Sequence, residues 1–229
     1  MLRRCGPPGR SDGYALRLLL SCSAYLNLTG STSGKLTVSV RKTWKMNQIN
    51  TRYHSTQIGE VILGSFHGKL CLLDFVKGKT RGTVEDRIRQ VLNAELVEQD
   101  DDILRETRRQ LDEYLEGLRK GFDIPVLMLG TDFQKDVWNA VTRVPYGATS
   151  TYSQIARDIG KERAVRAVGN AMAANPISII IPCHRIVGSG GELVGYGGGL
   201  SVKRRLLELE RSNTRACDRQ MEISKQTKP

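Results

Sequence analysis

No two cysteines in this 229-residue chain stand in a Cys-x-x-Cys arrangement, and no apolar run approaches the roughly 20 residues needed to cross a bilayer. The first absence removes the usual sequence signature of a zinc site, and the second removes a membrane-spanning helix. The five cysteines, Cys5, Cys22, Cys71, Cys183 and Cys217, are odd in number and scattered. That pattern argues against a disulfide framework and for a reducing compartment. Acidic residues are nearly missing from residues 1–45, which hold one acid against eight Lys and Arg. This segment is instead rich in Arg, Ser, Thr and Gly, the composition of a transit peptide, a disordered extension or sequence upstream of a start at Met46. Arg17 interrupts its short apolar patch around Leu18, Leu19 and Leu20, which weakens a secretory reading. It is read as a non-core extension.

The net charge of +11 suggests a nucleic-acid partner, but most of it lies in that extension. Residues 46–130 hold twelve basic and fourteen acidic residues, whereas residues 131–211 hold eleven basic and seven acidic. A slightly acidic middle is therefore followed by a basic block.

From Ile58 the pattern becomes fold-like. Ile58 to Phe66 and Lys69 to Val76 are β-prone runs separated by His67-Gly68, a hairpin signal. Thr83 to Ala94 and Asp101 to Lys120 read as helices, the second with Leu104, Leu111, Leu115 and Leu118 on one face. Phe122 to Leu129 returns to strand character. Beyond Gly130, Thr131 with Gln134 is a capping box opening a helix that carries Val137, Trp138 and Val141. Thr151 with Gln154 reads as a second one, opening a helix that Gly160 ends. A further helix follows from Glu162 to Ala174, so the pair has the outline of a helix-turn-helix.

In that second helix Ala164, Val168, Ala171 and Met172 share the core face, and Arg166 projects from the opposite side among short side chains. Taken alone, it is an alanine-rich helix with an exposed arginine. Downstream, Ser178 to Ile181 reads as a buried strand ending at Pro182, followed by Cys183-His184 and the glycine-rich Gly195-Tyr196-Gly197-Gly198-Gly199. Adjacent side chains of an extended segment point to opposite sides, so a water between thiol and imidazole is expected. The nearest downstream carboxylates that could orient His184 are Glu192, Glu208 and Glu210. By itself the dipeptide is also compatible with an inert buried thiol.

Read whole, the run from Asn175 through Ile181-Pro182-Cys183-His184-Arg185 and Gly195-Tyr196 to Lys203 and Glu210 closely resembles the O6-alkylguanine-DNA alkyltransferase family. The resemblance extends upstream through Phe133, Val137, Trp138, Pro145-Tyr146-Gly147, Tyr152 and Arg166-Ala167-Val168-Gly169. It covers residues 131–211 with high specificity and 53–130 more loosely.

The resemblance implies an α/β N-terminal domain over 46–130, a small antiparallel sheet with helices of ribonuclease-H-like kind. It implies a mostly α C-terminal domain with a DNA-binding helix-turn-helix over 131–211, and leaves 212–229 as a tail. It implies irreversible transfer of an alkyl group from guanine O6 to Cys183, with His184 taking the thiol proton through a water and Glu210 orienting His184. Asn175 would join the helix-turn-helix to the active-site segment. Arg166 would fill the gap left by a flipped base and Tyr152 would crowd the adjacent phosphate. Ala167 and Gly169 would allow approach to the minor groove, and Met172 would line the base pocket. Ile186, Tyr196 and Gly197 would form the rest of that pocket. Ser178, Val194 and Gly197 depart from the proline, glycine and serine of some members, which implies a differently shaped pocket. The Cys/His set that holds zinc in some eukaryotic members is missing from the matching region. Neither metal nor other cofactor is expected. The partner implied is double-stranded DNA carrying O6-alkylguanine, bound by a monomer with no membrane association. A bacterial-like cytoplasmic location is expected because the domain begins so soon after Met46, with organellar or nuclear targeting by residues 1–45 as the alternative. Two other readings are compatible with parts of the chain: a helix-turn-helix DNA-binding or regulatory protein without transfer activity, and a Cys-His hydrolase. The reactive-type cysteine argues against the first, and the helix-turn-helix against the second.

Overall fold

Strand β1 (Asn47–Thr56) gives little hydrophobic signal, since eight of its ten residues in NQINTRYHST are polar or charged, yet it organises the first half of the molecule. It pairs antiparallel with β2 (Gly59–Phe66), which pairs antiparallel with β3 (Lys69–Phe75). The β2–β3 turn sits at His67-Gly68, both left-handed with φ of 47° and 73°, the geometry a two-residue hairpin requires. On its other edge β1 takes β4 (Ala94–Glu98) in parallel, giving the order β3-β2-β1-β4. The sheet is therefore mixed, which corrects the wholly antiparallel sheet expected from the sequence. A parallel strand needs a crossover, and helix α1 (Arg81–Leu92) lies on the path to β4.

The computed structural model describes residues 46–78 and 81–226, with the backbone alone for 216–226. The readings of residues 1–45 and of the last three residues lie outside these. One sheet face meets α1, packing Ile49, Ile62, Cys71 and Leu72 against Val84 and Ile88. The other packs Val61, Leu63, Leu73 and Phe75 against α2 (Asp102–Leu115) and onward to the helices after residue 130. A register shift at Gly64/Ser65 leaves Cys71 as an extra residue of β3, so that consecutive Cys71 and Leu72 both pack on the α1 face while Leu70 and Leu73 pack on the other. Gly64 is needed there, because a Cβ would lie 2.9 Å from that of Leu72.

Helix α2 starts at its Asp101 cap, which accepts from the Leu104 amide, but stops at Leu115. Leu118 lies beyond it and is 76% exposed, so it does not share the buried face as expected. The strand expected over Phe122 to Leu129 is a single bridge, Leu70 to Val126. The described backbone bonds there run from Leu70 to Pro125 and from Leu127 to Leu70.

The second half opens with α3 (Asp132–Thr142), whose Thr131–Gln134 capping box is reciprocal as expected. Helix α4 (Tyr152–Asp158) follows the two-residue β5 (Ser150–Thr151) and has only half a box. Thr151 accepts from the Gln154 amide, while the Gln154 side chain turns to Asp158. Gly160, at φ 67°, ends this turn of the chain, and a short 3-10 turn (Glu162–Ala164) leads into α5 (Val165–Ala173). Val168, Ala171 and Met172 face the core, Ala164 is half-buried, and Arg166 is exposed. The Trp138 indole donates to the Ala171 carbonyl at 2.9 Å and so ties α3 to α5. Strand β6 (Ile186–Val187) pairs with β5, and α6 (Leu200–Gln226) runs well past the Arg211 end expected.

Ser178 to Ile181 does not form the strand that its apolar run suggests. Ile179 sits at φ 72° and Ser178 bridges back to Ile181, making a tight turn. Neighbouring groups take up its hydrogen bonds: the Asn175 side chain accepts from the Ile177 amide, and Leu73 accepts from Ser178. Tertiary partners outweigh local β propensity here.

Candidate active site and helix-turn-helix face

Cys183 opens a 3-10 turn, Cys183–Arg185, so the backbone bends where extended chain was expected. The bend turns His184 inward to a fully buried position. Its Nε2 lies 2.7 Å from Glu210 Oε1, across 26 residues of sequence. Glu210 is itself buried and is held from several sides: Arg185 Nε donates to both oxygens at 3.1 Å, the Gly147 amide to Oε2 at 2.8 Å, and the Tyr114 hydroxyl to Oε1. Burial opposes its charge, but the bond from His184, the Arg185 cation and Tyr114 prevail and hold its carboxyl down at about 2. Glu210 is thus an anion whose partners fix the imidazole, the second member of a nucleophile–base–orienter arrangement. Burial lowers the His184 pKa more than Glu210 restores it, so near neutral pH its imidazole is uncharged and able to take a proton. Its other nitrogen, Nδ1, is enclosed and has no hydrogen-bond partner among the described residues.

Cys183 is 8% exposed, and burial pushes its thiol up to about 12. Two groups pull the other way. Asn175 Nδ2 donates to the sulfur at 3.1 Å and also to the Ile181 carbonyl, and the Lys203 charge favours the thiolate. Lys203 is wholly buried and donates to the carbonyls of Ile186 and Val194 at 2.5 and 2.6 Å. Burial lowers its own pKa to about 8. Among the described residues no hydrogen bond joins Cys183 to His184. The thiol is thus protonated at rest, with a neutral base beside it and groups set to stabilise the thiolate once it forms.

In front of the sulfur lies a cavity of about 470 Å³. Cys183, Asn175, Tyr152, Gly169, Met172, Tyr196 and Gly197 of the expected residues line it, joined by Asp74 and Ser178. Ile186, expected in the base pocket, is fully buried and is not part of this lining. Arg166 and Ala167 lie on the exposed side of α5, away from the core. A Cβ on Gly169 would meet only the Tyr152 ring, at an ordinary 3.9 Å. The protein's own packing does not demand glycine there. Arg87 of α1 reaches the same helix end, donating to the Ala174 carbonyl at 2.7 Å and lying over the Trp138 ring.

The sequence reading passed over several groups that complete this geometry. Arg185 and Lys203 stood in the quoted motif without a role. Tyr114 offered no signal beyond its place on the apolar face of α2. Asp74 offered one, as a lone acid inside the apolar run Leu70-Cys71-Leu72-Leu73-Asp74-Phe75.

Residues 132–212 match the family described as 6-O-methylguanine DNA methyltransferase, DNA binding domain. Residues 50–128 match the 6-O-methylguanine DNA methyltransferase, ribonuclease-like domain. A methylated-DNA–protein-cysteine methyltransferase of Methanosarcina barkeri is 47% identical over 158 residues, 69% of this chain and 94% of that protein. The inducible methylated-DNA–protein-cysteine methyltransferase of Bacillus subtilis is 50% identical over 123 residues, 54% of this chain and 69% of that one. Among solved structures, Mycobacterium tuberculosis OGT in complex with DNA superposes with a TM-score of 0.61 at 38% identity, covering 72% of this chain and 94% of that one. The O6-methylguanine-DNA methyltransferase of Pyrococcus kodakaraensis superposes with a TM-score of 0.52 at 26% identity, over 71% and 98%. The α/β first half and mostly α second half are the architecture these matches share. With both matched domains in order, and a relative aligned over nearly its whole length, the chain belongs to the methylated-DNA–protein-cysteine methyltransferase (O6-alkylguanine-DNA alkyltransferase) family.

Proposed function

We propose that this protein repairs duplex DNA by taking the alkyl group of O6-alkylguanine, chiefly the methyl group, onto Cys183 once and irreversibly. The observation that carries the reading is the buried Cys183 beside a neutral His184 locked to Glu210 at 2.7 Å, opening onto a cavity under α5. His184 takes the thiol proton through a water, and Glu210 stabilises the resulting imidazolium. The thiolate then attacks the alkyl carbon; the S–C bond forms as the C–O6 bond breaks. The leaving electron pair goes to the guanine ring, which gains one proton from water. Asn175 and Lys203 favour the thiolate during this step. Because the sulfur ends as a thioether, no second cycle is available.

A base in the stack does not reach a sulfur at this depth, so the damaged nucleotide must rotate out, at a few kcal/mol. The exposed Arg166 is the group suited to fill the gap, and Tyr152 to press on the adjacent phosphate. Ala167 and Gly169 keep this face low enough for the minor groove. The exposed, short-chained outer side of α5 supports this reading. The protein acts as a monomer, since one chain supplies every group invoked.

Incubation with duplex DNA radiolabelled in the O6-methyl group tests the reading. The expected result is a single equivalent of label, recovered on Cys183 and missing from Cys183→Ser. Continued turnover, or undiminished labelling of that variant, overturns it. For Arg166→Ala the expected outcome is slower repair in duplexes but little change with free O6-benzylguanine, roughly a tenfold difference between the two. Equal loss on both substrates removes the base-flipping role.

A further inference from the structure

Asp74 stands on β3, in the first half of the chain, yet it lines the cavity in front of Cys183. Two backbone bonds bring it there: Leu73 donates to the Pro176 carbonyl at 2.9 Å and accepts from the Ser178 amide at 2.7 Å. The carboxyl is 2% exposed. Its Oδ1 accepts from the Phe75 amide at 2.8 Å and from the Ser178 hydroxyl at 3.3 Å, and Oδ2 takes no hydrogen bond among the described residues. The nearby Arg81 is engaged elsewhere, with Glu85 at 2.6 Å and the Tyr53 hydroxyl. A buried carboxyl without an ion-pair partner is expensive to keep, and such groups concentrate at functional sites.

Two neighbours shape this wall, Ser178 and Gly197. A proline ring at position 178 would carry no hydroxyl to Asp74, and a Cβ at position 197 would stand 3.4 Å from Asp74 Oδ1. The Ser178 hydroxyl holds Oδ1, and Gly197 leaves open the space beside that same oxygen. Tyr196, whose hydroxyl is enclosed without a partner among the described residues, lines the same cavity. In the displacement at carbon the sulfur, the carbon and O6 lie in line, so any further atoms of the alkyl group project sideways against the walls.

Resting on the alkyl-transfer reading above, we infer that Asp74, with Ser178, selects O6-alkyl groups bearing a hydrogen-bonding group on the second carbon over apolar groups of the same length. A hydroxyl there donates to the free Asp74 oxygen, whereas a methyl leaves that oxygen buried and unpaired. The 2-hydroxyethyl and n-propyl adducts are near-isosteres that differ in this respect alone. The bond changes are those of methyl transfer, with S–C formed and C–O6 broken.

The test measures single-turnover rates on duplexes carrying O6-methyl-, O6-(2-hydroxyethyl)- or O6-propylguanine. Wild type should prefer hydroxyethyl to propyl, and Asp74→Leu should lower that rate ratio roughly tenfold. Asp74→Asn, which keeps a hydrogen-bonding amide, should retain the preference. Ser178→Ala, which removes the hydroxyl that holds Asp74 Oδ1 and leaves the carboxyl present, should lower the ratio in the same direction, and it decides the matter if Asp74→Leu fails to fold. An unchanged ratio in the folded variants, with all three rates falling together, makes Asp74 a strut and overturns the inference while methyl transfer stands. Lack of methyl transfer by wild type overturns the functional reading itself and this inference with it.

Discussion

Cys71 and Cys183 are both buried thiols that desolvation pushes up to about 12, yet their neighbourhoods differ in kind. Cys71 lies in the core between the sheet and α1, among Ile49, Ile62, Leu72, Val84 and Ile88, and its thiol donates to the Gly64 carbonyl at 3.4 Å. The charged group that acts on it is Asp101, which raises its pKa further. Around Cys183 the same burial is opposed by the Asn175 donor and the Lys203 cation, and a neutral imidazole stands next in the chain. The pKa of the resting thiol therefore does not distinguish a reactive cysteine from an inert one. What distinguishes them is whether the surroundings can accept the proton and hold the charge, and whether a cavity reaches the sulfur.

The strongest challenge to this comparison removes the group that holds the base. Glu210→Gln should slow alkyl transfer roughly 100-fold or more, the range found when a positioned acid–base group fails. It should also slow iodoacetamide labelling of Cys183 and leave that of Cys71 unchanged. A parallel change at both thiols would mean general loosening of the fold instead of a lost base.

A pH series sharpens the contrast from the other side. Burial holds His184 below the ordinary histidine value of 6.5, so it stays neutral as pH falls to that point and becomes charged only below it. The transfer rate should therefore hold from neutral pH down to about 6.5 and decline beneath that, because a protonated imidazole accepts nothing. A decline centred above 6.5 would contradict the assigned base. The smallest effect belongs to the inert thiol. Cys71→Ser should destabilise the fold by about 1–2 kcal/mol in chemical denaturation, by placing a hydroxyl in an apolar core. Its alkyl transfer should stay within about twofold of wild type, as expected of a site with no shared partners. A large loss of transfer would give Cys71 a role that its surroundings do not.

Much of the site was legible because its signals are local. The Thr131–Gln134 capping box, the hairpin at His67-Gly68 and the core face of α5 each follow from spacings of a few residues, and the motif around Cys183 is contiguous. The choice of Glu210 over Glu192 and Glu208 came from resemblance, and the 2.7 Å contact with His184 gives it a physical basis. The parallel β4 was invisible, since β1 carries a polar sequence and its pairing spans more than forty residues. The turn at Ile179 was misread as a strand because its apolar run has strand propensity, while the groups that bend it lie on β3 and at Asn175.

The sequence by itself determined where most helices begin, the Thr131–Gln134 cap, the chemistry-bearing types and the motif that marks the family, because these are written in residue identities and short spacings. Only the tertiary structure decided what those types do. It closed the imidazole on Glu210 through Arg185, Gly147 and Tyr114, buried Lys203 behind the thiol, and brought Asp74 from the other half of the chain into the cavity wall. Desolvation and unpaired donors depend on what surrounds an atom in space, and distance along the chain does not record that.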